Sequence, residues 1–269
     1  MKQKMTRSIF SLIVATLLAV GVQMRAVAQE SASVDKTGVV LHVYGPGGPA
    51  PAMREAAQAF GKKKKITVEV TAGPTASWKE QALQDADLIF SGAEHMMTDF
   101  VQKDLPGVID PSSIRTLYLR PSAILVRPGN PKNIQGVKDL AKPGLRILVV
   151  QGAGQVGMWE DVAGRTGNVK LVDDIRRNIT TVAPNSGDAK KLWASNSGYD
   201  AWLIWTVWQK ENPASADLVK IEPEHTIYRS CGIGLSSRSP HQALAKEFAD
   251  FLQSAEGKNI FVKWGWVAP

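Results

Sequence analysis

The sequence predicts an α/β protein folded as two lobes, and three observations carry that expectation. Strand-like and helix-like segments alternate along nearly the whole chain, the pattern of parallel sheets with helical crossovers. The alternation runs in two blocks, the first strand of the second stopping at a turn cluster, Pro128-Gly129-Asn130-Pro131, and after the second block the chain returns toward the first. Four strand-to-helix junctions are loops of glycine, alanine, proline and small polar residues.

In the first block, residues 39–44 alternate apolar and polar side chains and predict a strand, followed by an alanine-rich helix over 50–60. A strand over 66–71, a helix over 77–84, a short apolar strand over 87–90 and a helix over 94–101 follow. In the second block, 124–127 is a strand, 137–141 helical, 146–150 a strand, 158–163 a helix, 188–194 a helix and 201–205 a strand. The return is a β-like stretch over 226–236. Ser239-Pro240 then predicts a helix start, with Leu244, Phe248, Phe251 and Leu252 on one face. Ser254 is placed to cap a last short helix carrying Ile260 and Phe261.

The N-terminus predicts export. Lys2, Lys4 and Arg7 precede an apolar run over 9–22, and Ala26-Val27-Ala28 supplies the small residues of a signal-peptidase site, so cleavage falls before Gln29. The run is shorter than the roughly 20 residues a membrane span needs. Removing Lys2, Lys4, Arg7 and Arg25 takes the formal charge from +7 to +3. That mild excess favours an anionic small molecule and gives no support for nucleic acid. The only dense basic run, the lysines at 62–65, reads as a solvated turn. Cys231 is the single cysteine, so there is no internal disulfide, and its apolar neighbours mark it as a buried small hydrophobe.

The four small-residue loops are Gly45-Pro46-Gly47-Gly48, Gly73-Pro74-Thr75, Gly152-Ala153-Gly154-Gln155 and Ala183-Pro184-Asn185-Ser186-Gly187. In an open α/β sheet such loops sit at the carboxyl ends of the strands, where the crevice lies. Helix N-termini there present unpaired N–H groups, and a bare backbone lets an anion reach them. The first loop lacks the third glycine of a dinucleotide fingerprint and the Lys-Ser/Thr end of a triphosphate loop, so no nucleotide cofactor is implied.

Catalytic motifs are absent as well. There is no Gly-x-Ser-x-Gly, no His-Glu-x-x-His and no cysteine cluster, and His42, His95, His225 and His241 are scattered. Trp159, Trp193, Trp202, Trp205 and Trp208 fall in the second block; most read as core, while Trp205, ending its strand, is placed to face the crevice.

Two segments carry a family resemblance. Phe248-Ala249-Asp250-Phe251-Leu252 followed by Ser254-Ala255-Glu256-Gly257 and Lys263-Trp264-Gly265 resembles the closing helix pair of bacterial extracellular solute-binding proteins of the molybdate and sulfate type, the type II periplasmic binding proteins. Asp200-Ala201-Trp202-Leu203-Ile204-Trp205 resembles that family's Asp-Ala-Gly-hydrophobic-Tyr segment. Within the group, the stretch from His42 to Met53, with Thr71-Ala72-Gly73-Pro74-Thr75 and Asp87-Leu88-Ile89-Phe90-Ser91-Gly92, is most similar to the accessory colonization factor C proteins.

The resemblance implies a periplasmic protein of two α/β lobes, residues 29–116 with 230–269 and residues 117–229, joined by crossings near 116–122 and 226–230. It implies a small anion held between them and delivered to an ABC-type membrane permease or a chemoreceptor, by a monomer without cofactor, metal or catalysis. Carried over by position, the contacts are Gly47, Gly48, Pro74 and Thr75 with Ser91 nearby, then Ala153, Gly154, Ser186 and Gly187, with Asn185 beside them and Trp205 at the aromatic position. The serines expected in the first two loops are Gly-Gly and Pro-Thr here, and the tyrosine is Trp205, which turns the expectation from bare molybdate toward a sulfate ester or carboxylate. Arg115, Arg120 or Arg229, at the crossings, is placed to neutralise such a group. An exported hydrolase using the same cleft, or an adhesin acting through its outer surface, are the alternatives.

Overall fold

The structure is a computed structural model and describes residues 38–269. The predicted leader and the cleavage point before Gln29 lie outside the described residues. No described helix is long and apolar enough to cross a membrane.

The first half of the chain forms β1 (Val40–Gly45), α1 (Ala50–Lys64), β2 (Thr67–Ala72), α2 (Lys79–Asp85), β3 (Leu88–Phe90) and α3 (Glu94–Asp99). β1 pairs in parallel with both β2 and β3. β2 alternates exposed and half-buried residues, as an edge strand with one face to solvent does. α1 runs through the lysines at 62–64, which occupy its last turn, where cations oppose the negative end of the helix dipole. Lys65 closes the helix in the left-handed region, its N–H bonded to the Gly61 carbonyl. The run is thus a helix end, not the turn expected from sequence.

The second half contains β4 (Arg115–Val126), β5 (Ile147–Val150), α4 (Met158–Gly164), α5 (Val169–Asn178), β6 (Ile179–Ala183), α6 (Ser186–Ser195), β7 (Ala201–Trp205), α7 (Thr206–Glu211) and β8 (Asp217–Lys220). β5, β6 and β7 are parallel, and β5 and β7 are wholly buried, which is why they read as unbroken apolar runs. α5, α7 and β8 are additions to the sequence reading. α5 has a legible start, Asn168 accepting from the Leu171 N–H at 3.0 Å, with Leu171 and Ile175 buried one turn apart.

β9 (Tyr228–Leu235) returns the chain to the first half, pairing antiparallel with β3. The strand order is β2-β1-β3-β9-β4-β7-β5-β6, with β8 paired to β4. β4 is far longer than the predicted 124–127 because it serves both halves. Residues 115–121 pair with β9, Ser122–Val126 pair with β7, and Ala123–Val126 also pair with β8. The switch falls at Pro121, which has no N–H to give a ladder.

α8 (Gln242–Gln253) and α9 (Ala255–Lys263) close the first half. The buried face of α8 is the one the spacing predicts, and Phe248 and Phe251 pack on Phe60 of α1 at 5.1 and 5.5 Å between ring centres. The helix starts at Gln242 rather than at Ser239-Pro240, because the Ser239 hydroxyl is bonded to Asp87 and accepts from the His241 N–H, holding a turn. Ser254 does cap α9, accepting from Gly257 at 3.3 Å.

Candidate functional site

Each of the four small-residue loops leaves the carboxyl end of a parallel strand: β1, β2, β5 and β6. They converge on one cavity of about 300 Å³. Of the eleven predicted contacts, Gly47, Gly48, Pro74, Thr75, Ala153, Gly154, Asn185, Ser186 and Gly187 line it, together with Met96, Arg120, Gln155 and Trp208.

Two predicted contacts do not line it. Ser91 is fully buried and its hydroxyl accepts from the Gly232 N–H at 3.2 Å, tying β3 to β9. Trp205 is fully buried and lies behind the wall, its ring under Arg120. Trp208, three residues on and in the first turn of α7, is the indole that reaches the cavity. The three-residue recurrence of tryptophan was the available signal; which member faces inward depends on where β7 gives way to α7.

Asn185 lines the cavity, yet its side chain is engaged locally. The carboxamide oxygen accepts from Asp188 N–H at 2.8 Å and the amide donates to the Asp188 carboxylate at 2.8 Å, so it is the cap of α6. Among the described residues, the N–H groups of Gly47, Gly48, Ser186 and Gly187 have no hydrogen-bond acceptor. They are the orphan donors expected around helix starts.

Arg120 is the centre of the site. It is 2 % exposed and has no carboxylate partner among the described residues. Its Nη2 donates to the Gly92 carbonyl and to the Gly154 carbonyl at 3.2 Å, linking the first half to the second. Nη1 has no acceptor among the described residues. The guanidinium carbon lies over the rings of Trp205 at 4.6 Å and Trp266 at 5.9 Å, within cation–π range. Burial pulls its pKa down to about 9, which still leaves it protonated at neutral pH.

The other two arginines of the crossings are spent elsewhere. Arg115 bonds Asp250 at 2.6 Å and Arg229 bonds Asp161 at 3.1 Å. Glu94, an acid whose charge acts on Arg120, accepts from the Ser230 N–H at 2.7 Å.

The glycines explain how a side chain this large fits. A Cβ on Gly48 would sit 2.8 Å from Arg120 Nη1, one on Gly154 2.9 Å from Nη2 and one on Gly92 3.2 Å from Nη2. Bare backbone from both halves therefore admits the cation. A second link across the halves joins His95 Nε2 to the Ala153 carbonyl. Among the described residues no cluster of histidine, cysteine and acid residues suits a metal.

Chemically, the cavity offers one full positive charge, unpaired N–H groups and the hydroxyls of Thr75 and Ser186, with no carboxylate among the described residues of its wall. That arrangement attracts and orients an anion.

Comparison with known proteins agrees with this architecture. The family model of the bacterial extracellular solute-binding proteins matches residues 41–267. Peb3 from Campylobacter jejuni is 35% identical with a TM-score of 0.77, over 85% of this chain and 100% of that one. PEB3 with L-phospholactate bound is 37% identical with a TM-score of 0.79 over the same shares. The molybdate-binding protein ModA of Mycobacterium tuberculosis is 24% identical over 220 residues, 78% of this chain and 73% of that protein. The periplasmic molybdate-binding protein of Azotobacter vinelandii shares the fold, with a TM-score of 0.68 at 18% identity over 85% of this chain and 99% of that one. The two-lobed architecture is that of the type II periplasmic binding proteins, and the chain belongs to the bacterial extracellular solute-binding protein family.

Proposed function

We propose that the protein is exported to the periplasm, closes its two lobes around a small organic anion and presents it to an ABC-type membrane permease or a chemoreceptor. The observation that carries this reading is Arg120, a buried cation without a carboxylate partner among the described residues, opening on the cavity that the four loops share. A desolvated charge is costly unless something compensates it, and a bound anion is the natural complement.

Size favours an organic ligand. With about 30 Å³ per water molecule, the cavity's roughly 300 Å³ matches about ten waters, several times the bulk of a bare tetrahedral oxyanion. L-phospholactate, which PEB3 holds, joins a phosphate ester to a carboxylate. A ligand of that kind would set one anionic group against Arg120, Gly48 and Gly154 and the other against Thr75, Ser186 and Gly187. In this reading the lobes are residues 29–116 with 230–269 and residues 117–229, hinged near 116–122 and 226–230.

The test is a thermal-shift screen of the purified protein against sulfate, molybdate, phosphate, L-phospholactate and dicarboxylates. An anion present at a hundred times its Kd adds about 2.7 kcal/mol, a rise of roughly 5–10 °C for a domain of this size. The expected result is a shift with organic phosphate or carboxylate anions that Arg120→Met abolishes. No shift with any of them at millimolar concentration would remove the reading, and consumption of the anion on long incubation would favour the hydrolase.

A further inference from the structure

We propose that the C-terminal strap, residues 264–267, is a working part of the binding site, with Trp266 a positioning residue that holds the Arg120 guanidinium in the cavity; this rests on the anion-binding reading above.

Local chemistry aims the strap. α9 ends in the two bonds of a Schellman motif: Gly265 N–H to the Val262 carbonyl at 2.9 Å, and Trp266 N–H to the Phe261 carbonyl at 3.1 Å. Gly265 takes φ +86°, which glycine adopts without strain. The apolar contact that accompanies this motif is present as well, with the Trp266 ring edge-on to Phe261 at 5.8 Å. The direction in which Trp266 leaves the helix is thereby set by Lys263-Trp264-Gly265-Trp266 itself.

Three further contacts connect the strap to the site. Val267 and Leu119 exchange both backbone hydrogen bonds, at 2.8 and 2.9 Å, so the strap is registered on the residue just before Arg120. Trp266, 1 % exposed, then stands where the guanidinium carbon lies over its ring. On the other side, Gly265 packs so closely on α7 that a Cβ would be 3.1 Å from Thr206 Cγ2 and 3.2 Å from Lys210 Cγ. The strap therefore touches the helix that carries Trp208 into the cavity. Trp264 anchors its base by donating from Nε1 to Glu55 at 2.8 Å.

The guanidinium needs such a support. Its Nη2 is held by two carbonyls, and among the described residues its Nε has no partner and no carboxylate fixes it. Two indole faces steady the group without neutralising it, as an acid would, and leave its charge to an anion.

The experiment is titration calorimetry of the purified protein with L-phospholactate and, separately, with inorganic sulfate, on wild type, Trp266→Phe, Trp266→Leu and a chain ending at Trp266. Trp266→Phe, which keeps an aromatic face, should bind within about threefold of wild type, and Trp266→Leu about tenfold or more weaker. The shortened chain, lacking the Val267 bridge, should fall between them. Because Trp266 acts through Arg120, the Trp266→Leu loss should shrink in an Arg120→Lys background, whereas a merely structural role would cost the same in both.

Wild-type affinity in Trp266→Leu, an undiminished loss beside Arg120→Lys, or equal losses in Trp266→Phe and Trp266→Leu would each overturn the positioning role and leave the site reading standing. Should Trp266→Leu not fold, wild-type affinity in the shortened chain overturns it. Wild-type affinity in Arg120→Met, or no binding of either anion by wild type, would instead bring down the site reading and this proposal with it.

Discussion

Arg120 and Trp205 lie against each other inside the protein, the guanidinium carbon 4.6 Å from the centre of the indole ring. Trp205 comes from β7 and Arg120 from β4, which face one another across the antiparallel pairing that starts at Ser122 and Trp205. The pairing places the cation at the point where β4 passes from one half of the fold to the other. Among the described residues its charge is met by ring faces and carbonyl dipoles and not by an acid, a combination that keeps it available.

The first consequence separates binding from stability. Replacing a buried, unpaired cation by an apolar side chain of similar size is commonly neutral or stabilising. Arg120→Met should therefore melt at the wild-type temperature or above without ligand, while losing about 2–5 kcal/mol of anion affinity. Calorimetric titration alongside thermal denaturation reads both quantities.

The glycines around Arg120 should behave unequally. Gly48→Ala and Gly154→Ala place a methyl group 2.8 and 2.9 Å from the guanidinium. The side chain can give way, so stability should change little, but the displaced charge should cost affinity by about 1.5–3 kcal/mol, the worth of a hydrogen bond to a charged group. Gly47→Ala meets only Trp208 Cη2 at 4.0 Å and should leave affinity close to wild type. Parallel titrations of the three variants make the comparison.

Asn185→Ala tests a residue that lines the cavity while its side chain serves its own helix. Losing the cap of α6 should cost about 1 kcal/mol of stability, seen in urea unfolding. Anion affinity should fall by less than it does in Ser186→Pro, which leaves the cap side chain but removes a cavity N–H.

Cys231 should be silent to thiol reagents. It is fully buried, and burial pushes its thiol up to about 12 despite the nearby Arg120. The thiolate is the reactive form. Labelling at neutral pH should therefore proceed only as fast as the β4–β9 region opens, and a bound anion should slow it. Stopped-flow labelling with and without saturating anion measures this.

Glu55 links α1 to the C-terminal strap and gives a pH signature. Burial raises its carboxyl pKa, but hydrogen bonds from Lys263 and Trp264 outweigh that and hold it below the usual range. A carboxylate whose folded pKa is depressed stabilises the fold above its unfolded value, near 4.3, and loses that contribution as pH falls through the folded value. Glu55→Gln should flatten the acid limb of the stability curve and cost about 0.2–1 kcal/mol at neutral pH, with little effect at pH 2. Urea titrations across pH 2–7 would show it.

The sequence by itself determined the alternation of strands and helices, the cap at Ser254, the buried face of α8 and the four loops of small residues. These follow from local rules, namely the period of each element, side-chain capping and the permissiveness of glycine. The family resemblance read from Leu244–Trp266 and from His42–Met53 holds over residues 41–267.

Only the tertiary structure decided which of three arginines faces the cavity. Arg115, Arg120 and Arg229 look alike in sequence, and their fates depend on partners far along the chain: Asp250 for the first, Asp161 for the last, and for Arg120 the glycines at 48, 92 and 154 with Trp205 and Trp266. The same holds for Ser91, drawn away by Gly232, and for Trp208 in place of Trp205. Burial is a property of the assembled strands and helices, so a side chain's charge can be read from the sequence, while the company it keeps is settled by contacts that no local pattern encodes.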